Sequence, residues 1–324
     1  MRPLEEKVAV VAGATRGAGR GIACMLGEAG ATVYCTGRSV RGSRSSIDRP
    51  ETIEETAEMV TARGGTGIWA QVDHNDPEQV EGFFERVGQE QGRLDILVNN
   101  MSGDQYLTKA LLSGQERVSF WEYPVEEGLA AQRNGVHTHL ITSAYAAPLM
   151  IEDGHGLMVE VTDGNRLYYN DVGVTYSFSK TSVVLLAYLM SEELKTHGVA
   201  VVSLSPGWLR SEAMLDHFGV TEETWRDAIP ERPTFEQSET PFYIGRAVVA
   251  LANDPEVMGK TGRALSAGHL AREYGFTDVD GRQPPGYSWW VRGEGEHELP
   301  PIREGLFRYG RFVSSEDEWI GELS

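Results

Sequence analysis

The sequence predicts a doubly wound α/β fold built on one seven-stranded parallel sheet. Short β-branched runs alternate with single helical stretches, a glycine-rich turn joins the first run to the first helix, and the alternation persists to about residue 270 of 324. Strands separated by one helix each pair in parallel through right-handed crossovers, which puts helices on both faces of a common sheet.

The wholly apolar run Val8–Ala12 reads as a first strand buried on both faces, and Gly19–Ala29 as the helix that follows it. The β-branched runs Ala31–Cys35, Gly67–Val72 and Asp95–Val98 supply three more strands, separated by the helical stretches Thr52–Ala62 and Asp76–Glu90. Glu126–Met150 reads as one long helix before a strand at Leu157–Val161. A helix at Tyr176–Thr196 leads to a strand at Val199–Leu204, and Pro241–Asn253 with Gly262–Leu265 completes the series. Past about Ala267 the pattern lapses into a proline- and glycine-containing extension expected to be mostly irregular. Its Trp289, Trp290, Phe307, Phe312 and Trp319 are too apolar for free solvent, so it is expected to pack on the core or on a second subunit, a disordered tail being the alternative. The division expected is a nucleotide-binding domain over 1–270, with a substrate loop at about 208–240, and the extension 271–324.

Composition narrows the function. With 29 Lys+Arg against 48 Asp+Glu, the net charge of −19 is spread along the chain and argues against duplex nucleic acid or an anionic membrane as partner. Two cysteines, Cys24 and Cys35, lie in apolar surroundings and read as small core residues. No apolar run approaches the roughly 20 residues of a membrane helix, and the N-terminus does not read as a signal peptide, so a soluble cytoplasmic protein is expected. The histidines His137, His139, His155 and His269 are scattered without metal-ligand spacing, and no metal is expected.

The turn Gly13-Ala14-Thr15-Arg16-Gly17-Ala18-Gly19 lies between a buried strand and a helix. Glycines there let the backbone turn sharply and approach a pyrophosphate, which meets the free N–H groups and positive end of the helix. At the end of the second strand, where an acid would hold the ribose hydroxyls of NAD, stands Thr36-Gly37-Arg38-Ser39. Arg38 and Arg16 offer two guanidinium groups to a 2′-phosphate, so NADP(H) is favoured. Asp73 in Val72-Asp73-His74 lies where an adenine amino group would bind, although an N-cap for the next helix explains that stretch equally well.

Tyr176-Ser177-Phe178-Ser179-Lys180 sets a phenol and an ammonium one turn apart on one helix face. A neighbouring cation stabilises phenolate, which suits the phenol to acid–base work near neutrality. With the GxxxGxG turn, Leu97-Val98-Asn99-Asn100 and Pro206-Gly207, this pair gives the chain a close resemblance over about residues 5–270 to the short-chain dehydrogenase/reductase family. Gly37-Arg38, Arg93-Leu94-Asp95 and the stretch Ala271–Arg282 are similar to one vertebrate branch of that family and its bacterial relatives.

The resemblance implies a Rossmann-type sheet and NADPH-dependent carbonyl reduction. It places Asn99 and Asn100 at the turn beside the adenosine ribose, followed by Met101 and Ser102, and sets Pro206, Gly207, Trp208 and Leu209 behind the nicotinamide. It also implies a homodimer or homotetramer built on the helices Glu126–Met150 and Tyr176–Thr196. Two positions depart from the family pattern. Asp163 falls where the family has a substrate-binding Ser, with Thr162 just before it. The family Asn that holds a relay water falls nearest Asn134, although counting back from Pro148-Leu149-Met150 reaches Gly135. Asp163 is then a protonated hydrogen-bond donor, a charged partner for a cationic iminium or amine substrate, or a turn residue in an inactive site, and Thr162 is the alternative hydroxyl. Aromatics on the strand-end loops, among them Tyr106, Tyr168, Tyr169, Trp208, Phe218 and Trp225, with Gln105, Leu167 and Met214, imply an apolar carbonyl substrate or else lid packing. The competing class is a noncatalytic NADP-binding sensor or scaffold.

Overall fold

The computed structural model describes residues 2–43, 48–102, 118–163 and 173–286. Its sheet has seven strands in the order β3-β2-β1-β4-β5-β6-β7, each neighbouring pair parallel. They are β1 (Val8–Ala12), β2 (Thr32–Gly37), β3 (Thr66–Gln71), β4 (Ile96–Asn99), β5 (Gly156–Val161), β6 (Val199–Ser205) and β7 (Ala264–Ser266). The helices among the described residues are α1 (Gly17–Glu28), α2 (Ile53–Ala62), α3 (Pro77–Gln91), α4 (Val125–Gln132), α5 (Thr138–Asp153), α6 (Val174–Leu194), α7 (Glu212–Phe218), α8 (Pro241–Ala252) and α9 (Ala267–Tyr274).

Side chains alternate across a strand, so successive residues of the fully buried β1 feed two separate cores. Ala9 and Val11 pack with Ile22 and Leu26 of α1 and Ile244 and Val248 of α8. Val8 and Val10 pack on the opposite face with Phe83 and Val87 of α3, Met150 of α5 and Ala187 of α6. Cys24 and Cys35 are free and buried, as expected of small core residues. The helix α1 is made narrow by small residues so that α8 can lie directly on it. A Cβ added to Gly21 would stand 1.8 Å from the Pro241 carbonyl oxygen. Between β1 and β4 the strand order reverses, and a crevice opens at their carboxyl ends.

Local chemistry sets the boundaries. Asp76 caps α3 by accepting from the N–H groups of Glu78 and Gln79, with Pro77 in the first turn and Gly92 left-handed at φ +70° at the end.

One expectation is refined and one is corrected. The stretch 126–150 is helical throughout but not regular: a π-helical turn, Arg133–His137, joins α4 to α5. The wider turn shifts the register by a residue, so Gly135 faces inward and Asn134 does not. Nor does regular structure lapse at Ala267. Ser266 caps α9, and the chain beyond it stays fastened to the core as far as Gly286. Asp278 accepts from the Thr240 N–H at 2.8 Å and hydroxyl at 2.5 Å, Arg282 donates to the Ser238 carbonyl at 3.0 Å, and the Tyr243 hydroxyl donates to the Pro284 carbonyl at 3.1 Å. The tail aromatics Trp289, Trp290, Phe307, Phe312 and Trp319 lie outside the described residues.

Replacing Gly21 by Ala forces α1 and α8 apart, since the obstacle is backbone. The expected loss, read by urea denaturation, is about 1–3 kcal/mol; an unchanged midpoint would contradict this packing.

Candidate active site

The glycine turn is shaped by what it touches. Gly13 has φ +81°, and both it and Ala14 donate N–H bonds of 3.0 Å to the Thr36 carbonyl. A Cβ on Gly13 would lie 2.9 Å from the Asn100 carbonyl oxygen, and one on Gly19 would lie 2.1 Å from the Gly13 oxygen. Asn100 closes the contact by donating its side-chain amide to Gly13 O at 3.1 Å. Thr15 and Ala18 are buried, with the Thr15 hydroxyl pressed against Gly37. Gly17, at φ +54°, opens α1 and donates its N–H to Glu212 Oε2 at 2.8 Å. A carboxylate from α7 thus occupies the electropositive end of α1, which identifies that end as an anion site.

Of the two cations expected for a 2′-phosphate, only Arg38 is loosely held. It is half exposed and stands 3.8 Å from Asp73. Arg16 is ion-paired to Glu51 at 3.1 Å, and its Nη2 is buried with no acceptor among the described residues. Glu51 also binds Arg49 at 2.7 Å, and Arg49 reaches Asp216 on α7 at 2.8 Å. Asp73 accepts from the Asn75 N–H at 3.0 Å, and the helix cap is Asp76.

The His74 ring lies in the interior. It is buried beneath the sheet's edge, with 2.8 Å contacts to the hydroxyls of Thr36 and Thr142. Burial pulls its imidazole down to about 4, so the ring is a neutral tie between β2 and α5.

At the carboxyl end of β5 the structure brings Tyr176, Lys180 and Asp163 together. The Tyr176 hydroxyl donates to Asp163 Oδ2, and the Lys180 ammonium stands 5.5 Å from the centre of the Tyr176 ring. Thr162 is engaged within the fold. Its buried hydroxyl donates to the Lys180 carbonyl at 2.8 Å, fixing α6 on β5. Asn134 is likewise turned away, its amide oxygen accepting from Asn75 Nδ2 at 2.8 Å because the π-turn points it there.

Beneath this site lies a buried network that no motif announced. Glu160, fully buried on β5, accepts from Asn99 at 2.8 Å and Ser143 at 3.1 Å and stands 2.6 Å from His139 Nδ1. The other His139 nitrogen is 3.0 Å from the Met101 carbonyl, so the network fixes the chain leaving β4, and Ser102 follows exposed. His139, taken with the other histidines as unremarkable, is therefore a structural partner of the site. Alternation along β5 places residue 160 in the interior, and an acid at an interior position was the available signal.

The turn after β6 carries Pro206, Gly207, Trp208 and Leu209. Leu209 forms a parallel bridge with Glu239, which closes the loop between them. Inside that loop Trp225 and Phe235 are buried, with Trp208, Met214 and Phe218 packed on them. Three guanidinium groups, of Arg210, Arg226 and Arg282, stack on Trp225 at 4.2, 4.4 and 4.9 Å. Trp225 is therefore the lid's own core. Gln105, Tyr106, Leu167, Tyr168 and Tyr169 lie outside the described residues. Glu212 and Glu239 were missed by sequence reasoning because nothing local marks an acid whose partner is a backbone N–H or a distant turn.

Similarity to known proteins agrees with this geometry. The family model described as short chain dehydrogenase matches residues 7–218. Dehydrogenase/reductase SDR family member 1 of Mus musculus is 38% identical over 288 residues, covering 88% of this chain and 87% of that protein. The Homo sapiens protein of the same name is 36% identical over the same shares. A short chain dehydrogenase from Mycobacterium thermoresistibile superposes with a TM-score of 0.71 at 22% identity, covering 88% of this chain and 93% of its own, a likeness of fold.

His74 gives a pH signature. Its folded-state value lies below the unfolded one, so its contribution to stability is full above about pH 6.5 and is lost as pH falls toward 4. The expected loss is about 3 kcal/mol at about pH 4 relative to neutrality. Comparing unfolding free energies of the wild type and His74→Gln across that range should show the variant lacking this slope; parallel curves would exclude His74 as its source.

Proposed function

The chain belongs to the short-chain dehydrogenase/reductase family, and from that membership we propose that it is an NADP(H)-dependent oxidoreductase reducing the carbonyl of an apolar small molecule. What carries the proposal is the convergence of the Tyr176 hydroxyl, the Lys180 ammonium and the Asp163 carboxyl at one strand end. The chain also fits the nucleotide. The turn at Gly13 and Gly19 excludes side chains, the Gly17 N–H already binds an anionic oxygen, and Arg16 Nη2 is a buried donor without an acceptor among the described residues. The end of β2 offers Arg38 and Ser39 and no acid, which favours a 2′-phosphate over a bare ribose.

A reduced nicotinamide, when bound, supplies hydride to the carbonyl carbon. Tyr176 transfers its phenolic proton to the carbonyl oxygen, and the Lys180 ammonium stabilises the negative charge left on the phenol. Asp163, which accepts from the phenol in the free protein, stands where a hydroxyl holds the substrate elsewhere in the family and orients the substrate there. Pro206, Gly207, Trp208 and Leu209 wall the nicotinamide, and Asn100, with Met101, fixes the ribose side. The Trp208–Glu239 loop supplies an apolar rim. Exposed Leu129, Leu140, Phe178 and Leu189 on α4, α5 and α6 favour a homodimer or homotetramer through those helices. No helix among the described residues is long and apolar enough to cross a membrane.

One observation favours a second reading. Among the described residues Asp163 bonds Tyr176 and no cation. A charged Asp163 would then suit a cationic substrate carbon–nitrogen double bond, the imine counterpart of the carbonyl.

Changing Tyr176 to Phe should lower NADPH-dependent turnover of apolar ketones and aldehydes by about 100-fold or more while leaving NADPH binding within about twofold. Retained turnover removes Tyr176 from the mechanism, and NADPH binding without turnover by the wild type on ketones, aldehydes and imines marks a sensor. Asp163→Ser should change kcat/KM unequally for ketones and imines, imines losing more if Asp163 pairs with a cationic substrate; unchanged kcat/KM for both leaves Asp163 without a chemical role.

A further inference from the structure

Glu239 closes the Trp208–Glu239 loop and is wholly buried. Its backbone is fixed on both sides: its N–H donates to the Trp208 carbonyl and its carbonyl accepts from Arg210, each at 2.8 Å. Its carboxyl lies directly against Gly207, where an added Cβ would stand 2.7 Å from Oε2. The Gly207 N–H faces the carboxyl, yet neither oxygen completes a hydrogen bond among the described residues. A buried polar group without a partner is costly, and a buried charge more so.

The groups around it leave that charge uncompensated. Arg210, at the start of the loop, spends its guanidinium on Glu222 at 2.7 Å and on the Ser238 carbonyl at 2.7 Å. Asp278, from the segment after α9, adds a like charge, itself satisfied by Thr240 and Val279. Tyr243 of α8 faces the same pair of acids and donates its hydroxyl to the Pro284 carbonyl. Burial first, and Asp278 after it, push the Glu239 carboxyl up to about 8, against the opposing pull of Gly207 and Arg210. Near neutrality the group is therefore a carboxylic acid, and raising the pH creates an anion directly beneath the Pro206–Leu209 turn.

We propose that Glu239 is a positioning residue for the nicotinamide, its neutral carboxyl supporting the Pro206–Leu209 turn and its ionisation loosening dinucleotide binding. This rests on the dinucleotide reading above. Glu239 touches no reacting atom; it acts through Gly207 and Trp208. The same proton stabilises the fold. Because the folded-state value lies above the unfolded one, the contribution is full below about pH 4.5 and is lost as pH rises through about 8.

The test is fluorescence titration of the full-length protein with NADPH from about pH 6.5 to about 9.5, in a Tyr176→Phe background so that the phenol does not titrate. With Glu239 present, affinity should hold to about pH 7.5 and then weaken about fivefold by about pH 9.5. With Glu239→Gln added, which keeps shape and removes the titrating proton, affinity should stay flat. Equal pH profiles with and without Glu239→Gln overturn the proposal. Should Glu239→Gln fail to fold, the wild-type rise in Tm on adding NADPH is the readout: it should shrink above about pH 8, and a constant rise overturns the role. A protein that binds NADPH at no pH instead overturns the cofactor reading beneath it.

Discussion

Where β1 turns into α1, backbone meets backbone, and the rest of the site depends on that closeness. Gly13 and Gly19 touch each other and the end of β4 so tightly that any Cβ would overlap the Gly13 or Asn100 carbonyl. The absence of side chains brings the start of α1 to the point where strand order reverses, with its N–H groups facing the crevice. Asn100 fastens β4 to the turn, His139 fastens the residue after Asn100, and Glu160 fastens His139. A chain of contacts thus runs from the glycine turn under the floor of the site to β5, at whose end Tyr176 meets Asp163.

Carboxyl groups are the recurring material of this acidic protein, and their surroundings separate their roles. Glu160 is buried but surrounded by donors, and it organises three side chains. Glu212 reaches a helix N-terminus and holds the loop after β6 onto the glycine turn. Asp278 is saturated by backbone and hydroxyl donors and anchors the segment after α9. Glu239 has no completed hydrogen bond among the described residues, and desolvation, with the like charge of Asp278 after it, favours its neutral form. Two of these acids, Glu212 and Glu239, lie on or at the end of one loop, and they join it to the glycine turn and to the turn after β6.

Much was legible before any coordinates. The strand–helix alternation reports burial on both faces of a parallel sheet, and the spacing of Tyr176 and Lys180 reports a shared helix face, because both follow from local geometry. The surroundings of Asn134 and Thr162 were not legible in the sequence, for a different reason. A π-turn costs no visible residue in the sequence yet rotates everything before it, moving Asn134 toward Asn75. Thr162 carries a suitable hydroxyl, but the nearby Lys180 carbonyl claims it first. The His74 ring, beside Asp73, is buried in the core, which nothing in the local sequence announced.

The sequence by itself determined the sheet, the glycine turn and the phenol–ammonium pair, since each is written in residues a few positions apart whose geometry the backbone period fixes. Tertiary structure alone decided which acids are charged, which hydroxyls are already spoken for and which cation is held loosely enough to exchange partners. Those properties depend on burial and on donors tens to hundreds of residues away, and desolvation is set by everything packed around a group rather than by its neighbours along the chain.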